Sequence, residues 1–74
     1  MTLTKRRIEI LKKLATDKTT KEIAGELNIS PKTVEYHRGC LYKITKKNSI
    51  VGLAVWAIEQ GLVPIKFKEI DFSI

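Results

Sequence analysis

Apolar residues recur at helical spacing along most of the chain, and this pattern predicts four helices. Each of four segments combines such a pattern with a signal for where a helix begins or ends: residues 5–15, 20–27, 31–45 and 49–60. Thr4 is the expected N-cap of the first helix, whose apolar stripe consists of Ile8, Leu11, Leu14 and Ala15. Gly61 and Pro64 end the fourth helix, because glycine suits the left-handed cap position and proline cannot continue a helix.

The second and third helices follow one another closely, and each begins with a capping signal. Thr19 and Glu22 form a capping box, and Ser30-Pro31 is an N-cap followed by proline at the first helical position. The inward side of the second helix is predicted to hold Ile23, Ala24 and Leu27. The small Ala24 and Gly25 are expected to let a neighbouring helix approach. Two short helices joined by a three-residue turn indicate a helix-turn-helix, which places its second helix in the DNA major groove.

The third helix separates into an apolar side and a polar side. At about 100° per residue, Val34 shares its side with His37, Leu41 and Ile44, while Thr33 and Cys40 lie at the edge. The polar side is predicted to hold Lys32, Glu35, Tyr36, Gly39, Tyr42, Lys43 and Lys46. Lysine binds phosphates or guanine edges, glutamate accepts from the cytosine amino group, and tyrosine contacts a thymine methyl or a phosphate. This side therefore suits a DNA groove, where the bare backbone of a mid-helix glycine allows close approach.

The net charge of +6 is unevenly distributed. Residues 1–47 hold twelve Lys and Arg against five Asp and Glu, whereas residues 48–74 hold two against three. A basic N-terminal part favours a polyanion, and a near-neutral remainder favours protein contacts. The fourth helix is apolar nearly all round, so one face is expected to close the core and the other to be exposed or an interface.

Other chemistry finds little support. Cys40 is the only cysteine and His37 the only histidine, so neither an intrachain disulfide nor a zinc site is expected. No nucleophile–base pair, glycine-rich phosphate loop or paired carboxylates stand out, so we expect no catalytic residue, metal or cofactor, and no enzyme. His37 lies on the apolar stripe and is interpreted as a packed or phosphate-facing structural residue. No apolar run reaches about 18 residues, and a cytoplasmic protein is expected.

Several short motifs occur in order between residues 3 and 63: Leu3-Thr4-x-Arg6 with Glu9 and Leu11, Lys21-Glu22-Ile23-Ala24, Leu27-x-Ile29-Ser30, Thr33-Val34-x-x-His37, Lys43-Ile44 and Gly61-Leu62-Val63. Together they resemble the LuxR-type (NarL/FixJ/GerE-like) helix-turn-helix domain, the effector domain of response regulators and quorum-sensing activators. The resemblance implies an all-α, compact four-helix bundle over residues 1–63. Three features depart from the pattern: Arg7 replaces the acid that usually follows Arg6, Glu35 and Gly39 stand where basic or polar side chains often reach the bases, and the stretch after Ile44 is about one residue longer.

The resemblance also implies a function: a sequence-specific transcriptional regulator that reads the major groove of double-stranded DNA. Base readout is expected from Lys32, Glu35, Tyr36 and Gly39. Phosphate contacts are expected from Lys21, Thr33, Arg38 and Lys43, together with the N-terminal amides of the second and third helices. A homodimer on an inverted repeat would use Val51, Ala54, Val55 and Ile58 of the fourth helix, whether it forms in free solution or only on DNA. Such a regulator would associate with the bacterial nucleoid, and it could also contact RNA polymerase.

Some alternatives remain open at this point. A protein-interaction module that keeps the fold without specific DNA binding would also explain Glu35 and Gly39 on the polar side and the apolar fourth helix. The sequence fits both a stand-alone regulator and a fragment of a larger one. Segment 64–74 alternates apolar and polar residues, so it is predicted to be an extended or strand-like tail that could add Phe67 or Phe72 to the dimer contact.

Overall fold

The structure, a computed structural model, describes residues 3–63, and these form four helices: α1 (Lys5–Ala15), α2 (Thr20–Leu27), α3 (Pro31–Thr45) and α4 (Ile50–Glu59). The predicted bounds of α1, α2 and α3 are confirmed. Helix α4 is one residue shorter at each end, because Ser49 and Gln60 are its caps. The described stretch contains no strand, so the all-α class is confirmed. The predicted tail, residues 64–74, lies outside the described residues.

A hydroxyl side chain begins every one of these helices. Thr4, Thr19, Ser30 and Ser49 each accept a hydrogen bond from the backbone N–H three residues later, at 3.0–3.2 Å. An N-cap of this kind contributes about 1 kcal/mol to helix stability. In α2 the Thr19 N–H also donates to Glu22 Oε1 at 2.9 Å, which completes the predicted capping box.

Left-handed residues end the helices and turn the chain. After α4, Gly61 has φ +73°, the Leu62 N–H donates to the Ala57 carbonyl at 2.9 Å, and the Gly61 N–H donates to Ile58 at 3.0 Å. This pair of bonds is a Schellman motif, so the predicted role of Gly61 is confirmed. Asp17 after α1 and Asn28 after α2 adopt the same conformation.

The core forms where the apolar sides of the helices meet, and α1 touches each of the other three. Its buried side chains are Ile10, Leu11, Leu14, Ile23, Ala24, Val34, Leu41, Leu53 and Ala57. The predicted stripe on α1 was wrong at one position, since Ile10 is fully buried and Ile8 only half-buried. Two residues along a helix turn the chain by about 200°, so Ile8 and Ile10 cannot both face the core. Ile10 lies one turn before Leu14 on nearly the same side of α1, and this is the side that faces the core.

The predicted close approach at Gly25 was also wrong. Gly25 is exposed, and apart from its chain neighbours and the backbone of α2, no atom of the described residues lies within 4 Å of where its Cβ would be. Ala24, by contrast, is buried as predicted. Close approach occurs instead at Gly52, where a Cβ would lie 3.2 Å from both Lys47 Cβ and Ser49 Oγ. This glycine lets the end of the α3–α4 loop pack on the first turn of α4.

An ion-pair cluster ties the helix-turn-helix to α1. Lys13 Nζ of α1 donates to Glu26 Oε1 at 2.6 Å, and Lys18 Nζ of the following loop donates to Glu26 Oε2 at 2.7 Å. These bonds, from Lys13 first and then Lys18, hold the pKa of Glu26 below its ordinary value of 4.5. The bond to Glu26 in turn raises the pKa of Lys18. One carboxylate therefore joins three successive parts of the chain.

We predict that Glu26→Gln lowers the urea midpoint at pH 7 and leaves it almost unchanged at pH 3. Because the folded-state pKa of Glu26 is depressed, its stabilising effect is present above about 4.5 and lost as the pH falls through the folded-state value. Circular dichroism during urea unfolding measures the midpoint. Both ion pairs are accessible to solvent, so added salt should shrink the difference in midpoint at pH 7.

The matched control is Glu59→Gln at the end of α4, since Glu59 makes no ion pair within residues 3–63. It should follow the wild-type protein at both pH values. An equal loss for Glu26→Gln at pH 7 and pH 3 would show that the side chain acts through packing instead of through its charge.

Candidate nucleic-acid interface

Three residues, Asn28, Ile29 and Ser30, join α2 to α3. Asn28 is left-handed (φ 56°, ψ 45°), and the Ile29 N–H donates to the Ala24 carbonyl at 3.0 Å. Ile29 packs against the core while Ser30 Oγ accepts from the Thr33 N–H at 3.1 Å. The packed side chain of Ile29 and the N-cap bond of Ser30 thus fix the angle between α2 and α3. The predicted helix-turn-helix is present.

Helix α3 buries one side against the rest of the bundle. Its buried residues are Val34, Cys40, Leu41 and Thr45. Cys40, predicted at the edge, is buried because α1 covers that side, where Arg7 Nη2 lies 3.5 Å from Cys40 Sγ. Tyr42, predicted on the polar side, is instead half-buried and packs against the core. It lies only about 80° around the helix from Val34, within reach for a long aromatic side chain.

The opposite side of α3 carries the residues predicted to read bases, which we name the reading face: Lys32, Glu35, Tyr36 and Gly39. Lys32 and Glu35 are exposed, and Tyr36 is 63% exposed. The Tyr36 ring meets the His37 ring edge-on, with centroids 5.7 Å apart. Apart from its chain neighbours and the backbone of α3, a Cβ at Gly39 would meet no atom of the described residues within 4 Å. The structure therefore brings all four positions onto one accessible surface.

The predicted phosphate-binding residues surround this face less evenly. Lys21, Thr33 and Lys43 are exposed, with Lys21 in the first turn of α2 and Thr33 in the first turn of α3. Arg38 is half-buried and borders a shallow groove, together with Lys18, Thr19 and Thr20 at the start of α2. Lys18 and Thr20 were not among the predicted residues. In the sequence, the only indication that Lys18 and Thr20 could contact a phosphate is their position on either side of the Thr19 N-cap.

Helix α4 leaves an apolar surface exposed, which we name the α4 face: Ile50, Val51, Ala54, Val55 and Ile58. Val51 is 73% exposed and Val55 is 46% exposed, while Ala54 and Ile58 are half-buried. Leu14, Ala15 and Asp17 complete a groove beside them. The other side of α4 buries Leu53 and Ala57, so the expectation that one face closes the core is confirmed.

A family model agrees with this geometry. The model of the bacterial regulatory proteins of the LuxR family matches residues 1–57. The chain belongs to the LuxR family. The resemblance drawn from the motifs is therefore confirmed, and this LuxR-family chain is a DNA-binding domain of the transcription-regulator type.

Curated relatives give the same picture. The chain is 43% identical over 63 residues to the uncharacterized response regulatory protein YgeK of Escherichia coli K12, covering 85% of this chain and 43% of the relative. It is 46% identical over 52 residues to the transcriptional regulatory protein UhpA of the same organism, 70% of this chain and 26% of the relative. It is 63% identical over 35 residues to the spore germination protein GerE of Bacillus subtilis, 47% of each.

The LuxR-family chain thus spans less than half of the length of these relatives. No solved structure gives a significant match to it. Within residues 3–63, no helix is long and apolar enough to cross a membrane, and no group of three or more His, Cys, Asp and Glu side chains is placed to hold a metal ion.

His37 lies on the inner side of α3, across the helix from the reading face of this LuxR-family domain, and near Arg6 and Arg7 of α1. Its Nδ1 atom is buried and accepts or donates no hydrogen bond within the described residues. Burial, followed by the nearby charges of Arg7 and Arg6, lowers the pKa of His37 from its ordinary value of 6.5. Arg6 itself pairs with Glu9 at 3.3 Å. Its surroundings therefore disfavour the charged form of the imidazole, which suits a structural histidine.

We predict that wild-type stability falls as the pH is lowered from 7 to 5, and that His37→Gln flattens this dependence. A depressed histidine pKa means that the unfolded chain takes up a proton near pH 6.5 while the folded chain does not, so folding loses stability below that pH. Urea midpoints at pH 7, 6 and 5 give the slope. An unchanged slope in the variant would assign the pH dependence to other groups.

Proposed function

We propose that this LuxR-family domain is a sequence-specific DNA-binding transcription regulator that reads the major groove with α3. The observation that carries the proposal is the reading face. Its residues stand out from a helix whose other side is fixed in the core, so they can enter a groove without disturbing the bundle. Lys32, Glu35 and Tyr36 supply a donor, an acceptor and an aromatic side chain, which are the groups that distinguish base edges.

Phosphate contacts are proposed to anchor the domain on either side of the reading face. Lys21 and Thr33 lie at the N-terminal turns of α2 and α3, where the helix dipole and open amides attract anions. Arg38 borders the groove at the start of α2 and adds a fixed positive charge beside these amides. Lys43 extends the basic surface toward the end of α3. Such contacts set the register of the helix but carry no sequence information.

Arg38→Ala is expected to weaken binding to all duplexes by a similar factor and to lower the slope of log K against log salt by about one unit. The reason is that one phosphate contact, and the counterion it releases, is lost. Fluorescence anisotropy with a cognate and a scrambled duplex at several salt concentrations measures both quantities.

The matched control is Lys12→Ala, which removes an exposed lysine on the outer side of α1 and should leave the salt slope unchanged. If Arg38→Ala changes the preference between the two duplexes and leaves the slope alone, Arg38 reads bases instead. If wild-type protein shows no preference for any duplex, the proposed function itself is wrong.

The α4 face is proposed to form the contact between two copies of the domain on DNA. It exposes apolar side chains on adjoining turns, and burying each square ångström of such a surface contributes about 25 cal/mol. A two-fold contact uses the same residues of both copies. It would present two α3 helices to successive major grooves, about 34 Å apart, on an inverted repeat. Because the α4 face is small, we expect two copies of the domain to pair mainly when both are bound to DNA.

Val55→Glu should convert the complex on an inverted repeat from two domains per duplex to one, because it places a charge in the centre of the apolar contact. Sedimentation velocity with labelled duplex counts the bound copies, and binding to a single half-site should be unaffected. Lys12→Ala, a change on the outer side of α1 away from the α4 face, should behave as wild type. Two copies of Val55→Glu per duplex would exclude this contact.

The domain is also proposed to act on the chromosome in the bacterial cytoplasm, where a contact with RNA polymerase would connect DNA binding to transcription.

A second candidate function is a protein-interaction module that has kept the fold without specific DNA binding. It is favoured by the exposed carboxylate of Glu35 on the reading face and by the α4 face. A salt slope near zero for duplex DNA would support this second function.

A further inference from the structure

Glu35 is the one acid on a reading face that is otherwise basic or neutral. Its side chain is exposed, and it makes no ion pair or hydrogen bond within residues 3–63. The fold therefore does not need its charge. Against DNA an unpaired carboxylate is repelled by the phosphates, so it weakens binding to every sequence that offers it no donor.

Gly39 lies one turn after Glu35, in the middle of the same face. A helix-interior glycine is less stable than alanine there, and the structure gives no compensating contact, because a Cβ would point into open space. Its neighbours around the face are Lys32, Tyr36 and Lys43, all of which have side chains that project further. The reading face is therefore recessed at residue 39, where no side chain covers the backbone of α3.

We propose that Glu35 selects a cytosine in the DNA half-site by accepting a hydrogen bond from its exocyclic N4 amino group, and that the bare backbone at Gly39 lets α3 sit deep enough for this contact. The inference rests on the proposed function and names the base that its reading face recognises. A glutamate side chain is short compared with lysine or arginine. It reaches the floor of the major groove only if the helix backbone comes close.

The chemistry of the base edges narrows the choice to cytosine. In the major groove a carboxylate needs a donor, which cytosine N4 and adenine N6 provide, while guanine and thymine present acceptors. Adenine places its N7 acceptor beside N6, and that lone pair repels the second carboxylate oxygen. Cytosine has no acceptor at the neighbouring position. The same carboxylate rejects a guanine in this place, because O6 and N7 are both acceptors.

The first test is selection of bound duplexes from a random pool by the whole chain, wild type and Glu35→Gln, with Glu59→Gln as control. Wild type and control should enrich the same motif with an invariant cytosine in each half-site. An amide can donate and accept, which suits adenine N6 and N7. Glu35→Gln should therefore lose the cytosine preference by about 10- to 100-fold, or exchange it for adenine, while the rest of the motif stays.

The outcomes separate this inference from the proposed function. If wild type enriches a motif that Glu35→Gln leaves unchanged, Glu35 only repels phosphates and the inference is wrong while the function stands. The same holds if the position that responds to Glu35→Gln is not a cytosine. If wild type enriches no motif at all, both fail.

The second test separates stability from binding at Gly39. Gly39→Ala should raise the melting temperature by several degrees, about 4–8 °C, because it removes a helix-interior glycine from an open position. It should weaken binding to the selected duplex by about 10-fold or more and reduce the cytosine preference, because the added methyl group holds α3 away from the bases.

Gly25→Ala is the matched control, since Gly25 is also an interior glycine with open space around it but lies on α2, between Glu22 and Glu26. It should raise the melting temperature by a similar amount and leave DNA affinity unchanged. If Gly39→Ala binds as tightly as wild type with the same cytosine preference, close approach at residue 39 is not required, and that part of the inference is wrong.

Discussion

Ile10, Leu11 and Leu14 of α1 reach into the space between the other helices, and the orientation of the DNA-facing helix depends on this packing. Helix α3 presents its polar side to solvent because Val34 and Leu41 on its other side are held in the same core. The ion pairs of Glu26 with Lys13 and Lys18 add a second connection between α1 and α2. The helix-turn-helix is therefore an exposed edge of a bundle that α1 organises.

The bounds of the helices could be predicted from sequence because their caps are local. Thr19 and Glu22 bond to each other's backbone, and Ser30 bonds to Thr33, whatever the rest of the chain does. Burial depends on distant contacts, and there the predictions were less successful. Whether Ile8 or Ile10 of α1 faces the core, and whether Tyr42 turns inward, follows from where the neighbouring helices lie, which periodicity within one helix does not contain.

The candidate site divides in the same way. That Lys32, Glu35, Tyr36 and Gly39 share a face follows from helix geometry, so their grouping was predictable from spacing alone. That Arg38 borders a groove with Thr19 and Thr20 of α2 was not, because it depends on how α2 crosses α3. The family match extends the first kind of inference, since it places these residues in a DNA-binding domain. Two features oppose stability without serving the fold, the glycine at residue 39 and the apolar α4 face. Both are explained if DNA and a second copy of the domain cover them.

The central claim, that the polar side of α3 is the surface that meets DNA, is tested most directly by nuclear magnetic resonance. A duplex carrying a selected motif is titrated into ¹⁵N-labelled protein, and the shift of each backbone amide is followed at moderate salt. The largest changes should fall on Lys32, Glu35, Tyr36 and Gly39, with smaller ones at the first turn of α2. Changes concentrated on the outer side of α1, around Lys5 and Lys12, with α3 undisturbed, would contradict the account.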